Sequence, residues 1–293
     1  MRDFEAEGTD AYRLCTIAGG WVERFGPDIL ISFKDQAGRE QLTTQFVLWA
    51  EAMRFNTRRI FERFLPKRNE ERKAPKVILG DSNLSPRTIV MERGLRYAVD
   101  FRGGYSVGLF LDQRENRSFL RKASPARLLN CFAYTCSFSV AAAIAGARTV
   151  NVDLSQKSLE RGRQNFSLNN LPVTGDQFIA DDVFEVLPRL ARKGERYDSI
   201  VLDPPTFSRS HRGKMFKVQS NFEALLLKAL EVAERDARIL LSTNCATMNE
   251  RALELMARFC LKASCRAGTF HSESRPRDFP PDSGANSIWL TLR

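Results

Sequence analysis

A doubly wound α/β sheet with an antiparallel C-terminal edge, preceded by a small α/β domain, is the architecture this sequence predicts. Two observations carry it. From Arg127 onward the apolar runs "RLLNCF", "RTVNVD", "DQFIA", "YDSIVLD" and "ARILLS" alternate with helical stretches, as a parallel sheet with crossover helices requires. Before that point the runs are short and broken by glycine and proline. The 293 residues suffice for two domains, and the change of pattern places them at 1–104 and 105–293.

The elements follow in order. "YRLCTIAGGWVERFGPDILISF" breaks at Gly19-Gly20 and Gly26-Pro27 and reads as a meander. Phe46, Val47, Ala50, Met53, Ile60, Phe61 and Phe64 have helical spacing and predict one helix over Thr43 to Leu65. "PKRNEERKAPK" has no apolar face and is an exposed connector, and "TIVMERGLRYAVDF" is a hairpin about Glu92-Arg93-Gly94. "RGGYSVGLFLDQR" leads into the second domain. There, "SVAAAIAGA" is a helix that stops at Gly146, and "SQKSLERGRQNFSLNN" starts on the N-cap Ser155. "SCRAGTFH" and "NSIWLTLR", joined by the proline-rich "SRPRDFPPDSGA", form the antiparallel edge. Leu128 to Ala147 carries no charge over twenty positions, but its Asn130, Tyr134, Thr135, Ser137, Ser139 and Gly146 fit a strand, turn and helix better than a membrane span.

Apolar content of 43% and charged content of 27% are those of a soluble globular protein. A net charge of +10 favours a polyanionic partner, nucleic acid ahead of a membrane surface. "MRDFEAEGTD" is acidic and has no apolar core of a secretion signal, so the expected location is cytoplasmic. The cysteines at 15, 131, 136, 245, 260 and 265 include no CxxC pair, and His211 and His271 lie far apart, which argues against a metal site. Each thiol is then either core filler or chemistry.

Four strand ends carry the candidate site. The first strand turns into its helix through "LLNCFAYTCSFS", without the glycines that let a backbone approach a pyrophosphate. NAD and FAD are thereby disfavoured. Asp153 ends the second strand about twenty residues later, where an acid grips ribose hydroxyls. Asp182 after the third strand is placed to accept from an adenine amino group. Asp203 follows the fourth, and the two prolines behind it stop the ladder because neither has an N–H. Strand-end acids also cap helices, so each taken alone is ambiguous. Together they fit S-adenosylmethionine (SAM), a nucleoside without phosphate.

"GLFLDQRENR", "LLNCFAYTCSF", "VNVDLSQKSLERGRQNFSLN", "DDVFEVL" and "LDPPTFSRS" resemble the bacterial SAM-dependent large-subunit (23S) rRNA methyltransferases, in both the cytosine-C5 and the guanine-N7 branches. The resemblance runs from about Leu95 to the C-terminus, and "GGWVERFGPDILISF" is similar to the small subdomain that precedes the catalytic one. It implies a class I SAM-methyltransferase, Rossmann-like fold and an rRNA substrate. It implies cofactor contacts at Asn130, Phe132, Tyr134, Thr135, Asp153, Leu154, Asp182 and Asp203, with Asp112 and Arg114 of "FLDQR" closing over the site. Cys136 departs from the pattern, standing where relatives carry glycine, and is expected to crowd the turn near the methionine moiety.

The methyl acceptor turns on "LLSTNCATM". Cys245 matches the motif cysteine of the C5 branch, where the N7 branch has asparagine. Carbon 5 of cytosine is a poor nucleophile until a thiolate adds to C6, whereas guanine N7 has a lone pair in the ring plane and needs only positioning. The ordinary alternative for Cys245 is a small buried residue near a strand end. "FKVQSNFEALL" and "NSIWLT" look closer to the N7 branch. Asp203 is expected to orient the methionine end or the base, and Phe207 to stack on a flipped base or pack in the core. Arg209, Arg212, Lys214 and Lys217 form an acid-free run suited to phosphate contact or simply to solvent. An RNA-binding or ribosome-assembly protein that kept the fold without catalysis, and a small-molecule methyltransferase, are the other classes.

Overall fold

The computed structural model describes residues 1–66, 71–174, 177–209 and 215–293, without the side chains of Ser208, Arg209 and Met215. Two compact units divide the chain, Met1–Leu111 with Pro276–Asp282, and Asp112–Arg275 with Ser283–Arg293. The first unit runs on to Leu111 where the boundary was expected after residue 104, and Pro276–Asp282 groups with it. That segment supplies an acid and a ring to Arg13. Its backbone N–H donates to Asp278 at 2.8 Å, and its guanidinium lies 3.9 Å from the Phe279 ring centre and 4.6 Å from that of Trp21.

The first unit opens with α1 (Arg2–Ala6) and the meander β1 (Ala11–Ile17), β2 (Gly20–Phe25) and β3 (Asp28–Phe33). Helix α2 (Gln36–Ala52) crosses to β4 (Arg59–Phe64), and β5 (Lys76–Leu79) completes a sheet in the order β1-β2-β3-β4-β5. The single helix expected over Thr43 to Leu65 is corrected here. Asp35 caps α2 by accepting from the Gly38 N–H, and the helix ends at Ala52, so Ile60, Phe61 and Phe64 belong to a strand. Strand β4 runs parallel to β3, a pairing that needs a crossover, and α2 is that crossover. The start of β4 is anchored by ions: the carboxylate of Asp28 binds Arg58 and lies 2.9 Å from Arg59 Nη2. Burial alone would raise that carboxyl, but hydrogen bonds from the two guanidiniums outweigh it and hold it below its ordinary range. Hairpin β6 (Arg87–Glu92) and β7 (Leu95–Asp100) turns through Arg93 and Gly94, both at positive φ (49° and 79°), as a two-residue turn of this hand requires.

The second unit follows a 3-10 turn, Leu111–Gln113. Its elements are α3 (Arg114–Ala123), β8 (Arg127–Cys131), α4 (Ser137–Ile144), β9 (Arg148–Asp153), α5 (Gln156–Leu168), β10 (Phe178–Ala180) and α6 (Val183–Arg192). There follow β11 (Tyr197–Leu202), β12 (Phe207–Arg209), β13 (Met215–Lys217), α7 (Val218–Leu230), β14 (Ala233–Thr243), α8 (Glu250–Ala263), β15 (Gly268–His271) and β16 (Asn286–Leu292). The sheet order is β10-β9-β8-β11-β14-β16-β15. Pairing is parallel as far as β14, and β16 and β15 add the antiparallel edge. This is the doubly wound sheet expected, and residues 128–147 are the strand, turn and helix within it.

Alternate residues of the central strands face opposite layers. Leu129, Ile200, Leu202, Ile239 and Leu241 pack on the side of α7 and α8, while Leu128, Val201, Leu240 and Trp289 pack with Leu120 and Phe138 of α3 and α4. Each fully buried aliphatic side chain stabilises the fold by about 1.5–3 kcal/mol. The chain winds outward from β8 to β10 and then returns to β11 on the other side of β8. That reversal opens a crevice at the carboxyl ends of β8 and β11, where sheets of this kind bind ligands.

Candidate active site at the sheet reversal

The turn from β8 into α4 is built from residues in the left-handed region: Phe132 (φ 58°), Tyr134 (φ 48°) and Cys136 (φ 58°). Each such residue without glycine's freedom costs roughly 1–2 kcal/mol, so the turn must be held from outside. Asp153 does this. Its Oδ2 accepts from the Tyr134 N–H and its Oδ1 from the Ser155 N–H, both at 2.8 Å. Ala133 N–H donates to Val152 O at 3.0 Å, and Cys136 N–H to Ala133 O at 2.7 Å. Asn165 on α5 donates to Thr135 O at 2.8 Å, and Asn130 donates to Ser139 Oγ at 2.9 Å, fastening the turn to α5 and α4. The N–H groups of Ala133, Tyr134 and Cys136 are thus taken up internally and are not held out to a pyrophosphate.

A carboxylate has about four lone-pair sites. Two on Asp153 serve the backbone, which leaves capacity for a ribose diol at the end of β9. Burial pushes this carboxyl up from its ordinary value, against the two N–H donors that lower it. The nucleoside of SAM therefore fits the residues present, while the side chain of Asn130 is engaged beneath the turn. Asp182 accepts from the Phe184 N–H at 2.9 Å and caps α6, so it carries the capping role that sequence alone left open.

The side chain of Cys136 is directed at α5. It is buried, and a Cβ added at Gly162 of α5 would lie 2.4 Å from its sulfur, so the thiol points beneath the turn into space that a glycine leaves open. Burial pushes its pKa well up, as it does for the thiols of Cys131 and, to about 11, Cys260.

Across β8, Leu202 of β11 is registered with Leu241 of β14, which brings Asp203 beside Ser242 at the same edge. Burial raises the Asp203 carboxyl to about 6; the Ser242 hydroxyl bound to it lowers it, Asp112 raises it and Arg117 lowers it. Asp112 accepts from Ala285 N–H at 2.9 Å, and Arg114 is buried in the first turn of α3. Cys245 lies two residues past β14, 5% exposed, with its sulfur 3.2 Å from Thr247 Oγ1. The Gln219 amide donates to that same oxygen, which leaves the threonine proton able to point at the sulfur.

Beyond the two prolines, β12 and β13 pair antiparallel, Phe207 with Lys217 and Ser208 with Phe216. Phe207 is 53% exposed and Lys217 is exposed beside it, while Phe216 is buried. The Phe216 ring lies 5.7 Å from that of Phe132 and 5.9 Å from that of Phe184, between the cofactor turn and α6. The side chain of Arg209 and the whole of Arg212 and Lys214 lie outside the described residues. Sequence reasoning missed Phe216, Ser242 and Thr247. The alternation in "MFK" was the signal for Phe216; the other two are single hydroxyls without a pattern. Among the described residues no group of three His, Cys, Asp or Glu is arranged to hold a metal ion, and no helix is long and apolar enough to cross a membrane.

Residues 31–275 match the family model described as S-adenosylmethionine-dependent methyltransferase. The chain is 33% identical over 288 residues to ribosomal RNA large subunit methyltransferase I of Aeromonas salmonicida, covering 94% of this chain and 71% of that protein. Its counterpart in Aeromonas hydrophila is 32% identical with the same coverage. Among solved structures, SMU.776, assigned as a methyltransferase and complexed with SAH, superposes with a TM-score of 0.85 at 26% identity, over 99% of this chain and 77% of that one. The SAM-dependent methyltransferase of Agrobacterium tumefaciens shares the fold, with a TM-score of 0.73 at 20% identity over 97% and 90%. The cofactor is S-adenosylmethionine, and the chain belongs to the S-adenosylmethionine-dependent methyltransferase family, among the bacterial large-subunit rRNA enzymes.

Proposed function

We propose that this protein methylates a base of large-subunit ribosomal RNA, at C5 of cytosine, with Cys245 as the nucleophile. The relatives' substrate and the basic surplus support RNA, most of that surplus lying in the second unit. The observation that carries the acceptor is the position of Cys245. It sits beyond β14 at the crevice edge that also holds Asp203, and its sulfur meets the hydroxyl of Thr247. SAM supplies an electrophilic methyl group on a sulfonium sulfur. The thiolate of Cys245 adds to C6 and makes C5 nucleophilic; C5 takes the methyl group as the sulfonium sulfur leaves as a thioether, and transfer of the C5 proton to a base with departure of the thiolate restores the ring. Asp203 orients the base or the methionine end of the cofactor. Phe207 offers an exposed ring for stacking, and Lys217 with Arg209, Arg212 and Lys214 meets phosphates. The remaining cofactor contacts are assigned to Asp153, Asp182, Phe132, Tyr134, Thr135, Leu154, Asp112 and Arg114.

RNA carrying 5-fluorocytosine tests the assignment, because fluorine blocks the last proton loss. A covalent adduct that requires SAM and is absent in Cys245→Ala is expected, with methylation reduced a thousandfold or more. Guanine N7 is the second reading, favoured by the burial of Cys245. Methylation within a few fold of wild type in Cys245→Ala, at unchanged melting temperature, would establish it.

A further inference from the structure

Behind Asp203 a chain of four hydrogen bonds runs through the core of the second unit. The indole Nε1 of Trp289 on β16 donates to Asn116 Oδ1 at 2.9 Å. Asn116 Nδ2 on α3 donates to Gln113 Oε1 at 2.8 Å and to Ser287 Oγ at 2.9 Å. Gln113 Nε2 donates to Ser242 Oγ at 2.8 Å, and the pairing of Leu202 with Leu241 sets Ser242 beside Asp203, whose carboxyl the serine hydroxyl lowers. All five links before Asp203 (Trp289, Asn116, Ser287, Gln113 and Ser242) are buried.

The direction of this chain is dictated by its far end. An indole N–H can only donate. Asn116 must therefore turn its oxygen to Trp289, which turns its NH2 toward Gln113 and Ser287. Gln113 must meet that NH2 with oxygen, so its own NH2 faces Ser242. The serine oxygen then accepts, and its proton is left for the carboxylate. Reversing either amide sets two donors face to face in a place that water does not reach.

We infer that Trp289, Asn116 and Gln113 are positioning residues for Asp203: they commit the Ser242 hydroxyl to donate to that carboxylate and so favour its charged form in methyl transfer. The other groups facing Asp203 are Asp112 from the 3-10 turn, which opposes the charge, and Arg117 from α3, which supports it. The inference rests on the reading that Asp203 acts at the site.

The test is the titration midpoint of the Asp203 carboxyl in the full chain, followed by carbon-13 NMR and assigned by its loss in Asp203→Asn. Wild type is expected near 6. Ser242→Ala removes the donor and should raise the midpoint by about one unit, the worth of a hydrogen bond to a charged group. Trp289→Phe keeps a ring but frees Asn116 to turn over. If both directions become equally populated, the donating state is halved and the midpoint rises by about 0.3 unit. A midpoint that moves in Ser242→Ala and stays fixed in Trp289→Phe overturns the chain, as does one that moves in neither. Gln113→Met, which keeps side-chain length without the donor, serves if Trp289→Phe does not fold. The acid limb of the methyl-transfer rate should move with the midpoint. A moved midpoint under an unmoved limb supports the chain and overturns the part given to Asp203.

Discussion

Asp153 at the end of β9 and Asp203 just after β11 flank β8 on either side, and burial raises both carboxyls. They differ in what holds them. Asp153 is gripped by two backbone N–H groups, whose positions are fixed by the turn and by the start of α5. The hydrogen bond that lowers Asp203 comes from one side-chain hydroxyl, and a second acid, Asp112, faces it. Backbone donors make a rigid acceptor suited to recognising a sugar. Burial set against one hydroxyl donor makes a carboxyl that titrates within reach of neutral pH. One sheet edge thus carries an acid held by the backbone, proposed to bind the cofactor, and one held by a side chain, proposed to act in methyl transfer.

Replacing each acid in turn should separate the two roles. The largest effect is expected for Asp153→Ala, which removes the proposed ribose partner and the lock on a left-handed turn together. Each hydrogen bond to the charged group is worth about 1.5–3 kcal/mol, so calorimetry should show SAM affinity down at least tenfold and melting should show a lower midpoint. An unchanged dissociation constant would remove Asp153 from the cofactor site.

Asp203→Asn should behave in the opposite sense, losing methyl transfer while gaining stability. The Asp203 carboxyl stands at about 6 in the fold against 3.8 ordinarily, so the folded state holds its proton more tightly than the unfolded chain. That contribution is full below pH 4 and is lost as pH rises through 6, a cost of about 3 kcal/mol at neutral pH that asparagine avoids. Denaturation at pH 8 should show the variant more stable than wild type, and the gap should close near pH 4. A gap independent of pH would mean that the fold does not raise this carboxyl above its unfolded value.

Below the cofactor turn, Gly162→Ala should clash with the Cys136 sulfur and cost about 1–3 kcal/mol. Cys136→Gly in the same chain should relieve most of it, and additive losses in the double-mutant cycle would contradict the packing described. The smallest effect is reserved for Lys217→Ala, which should flatten the salt dependence of RNA binding by roughly 0.7–0.9 of a unit if the ammonium meets one phosphate.

The strand ends of the second unit were legible because each apolar run is followed by an acid or a turn residue, and because parallel strands buried on both faces read as continuous apolar stretches. Ser155 as an N-cap and Gly146 as a stop were equally plain. Strand β4 was misread because Ile60, Phe61 and Phe64 happen to extend a helical period begun on α2, and the parallel partner that makes them a strand lies some thirty residues away in β3. The side of the turn to which Cys136 points could not be read, since it depends on Gly162 in another element. The same holds for the chain through Gln113 and Asn116, whose partners Ser242 and Trp289 lie 129 and 173 positions away in sequence.

The fit of Cys136 against Gly162 also makes the two positions one packing unit. A Cβ at position 162 would lie 2.4 Å from the cysteine sulfur, so a side chain there is admitted only if the thiol moves or is removed. What position 162 can carry is thus set by what stands at position 136.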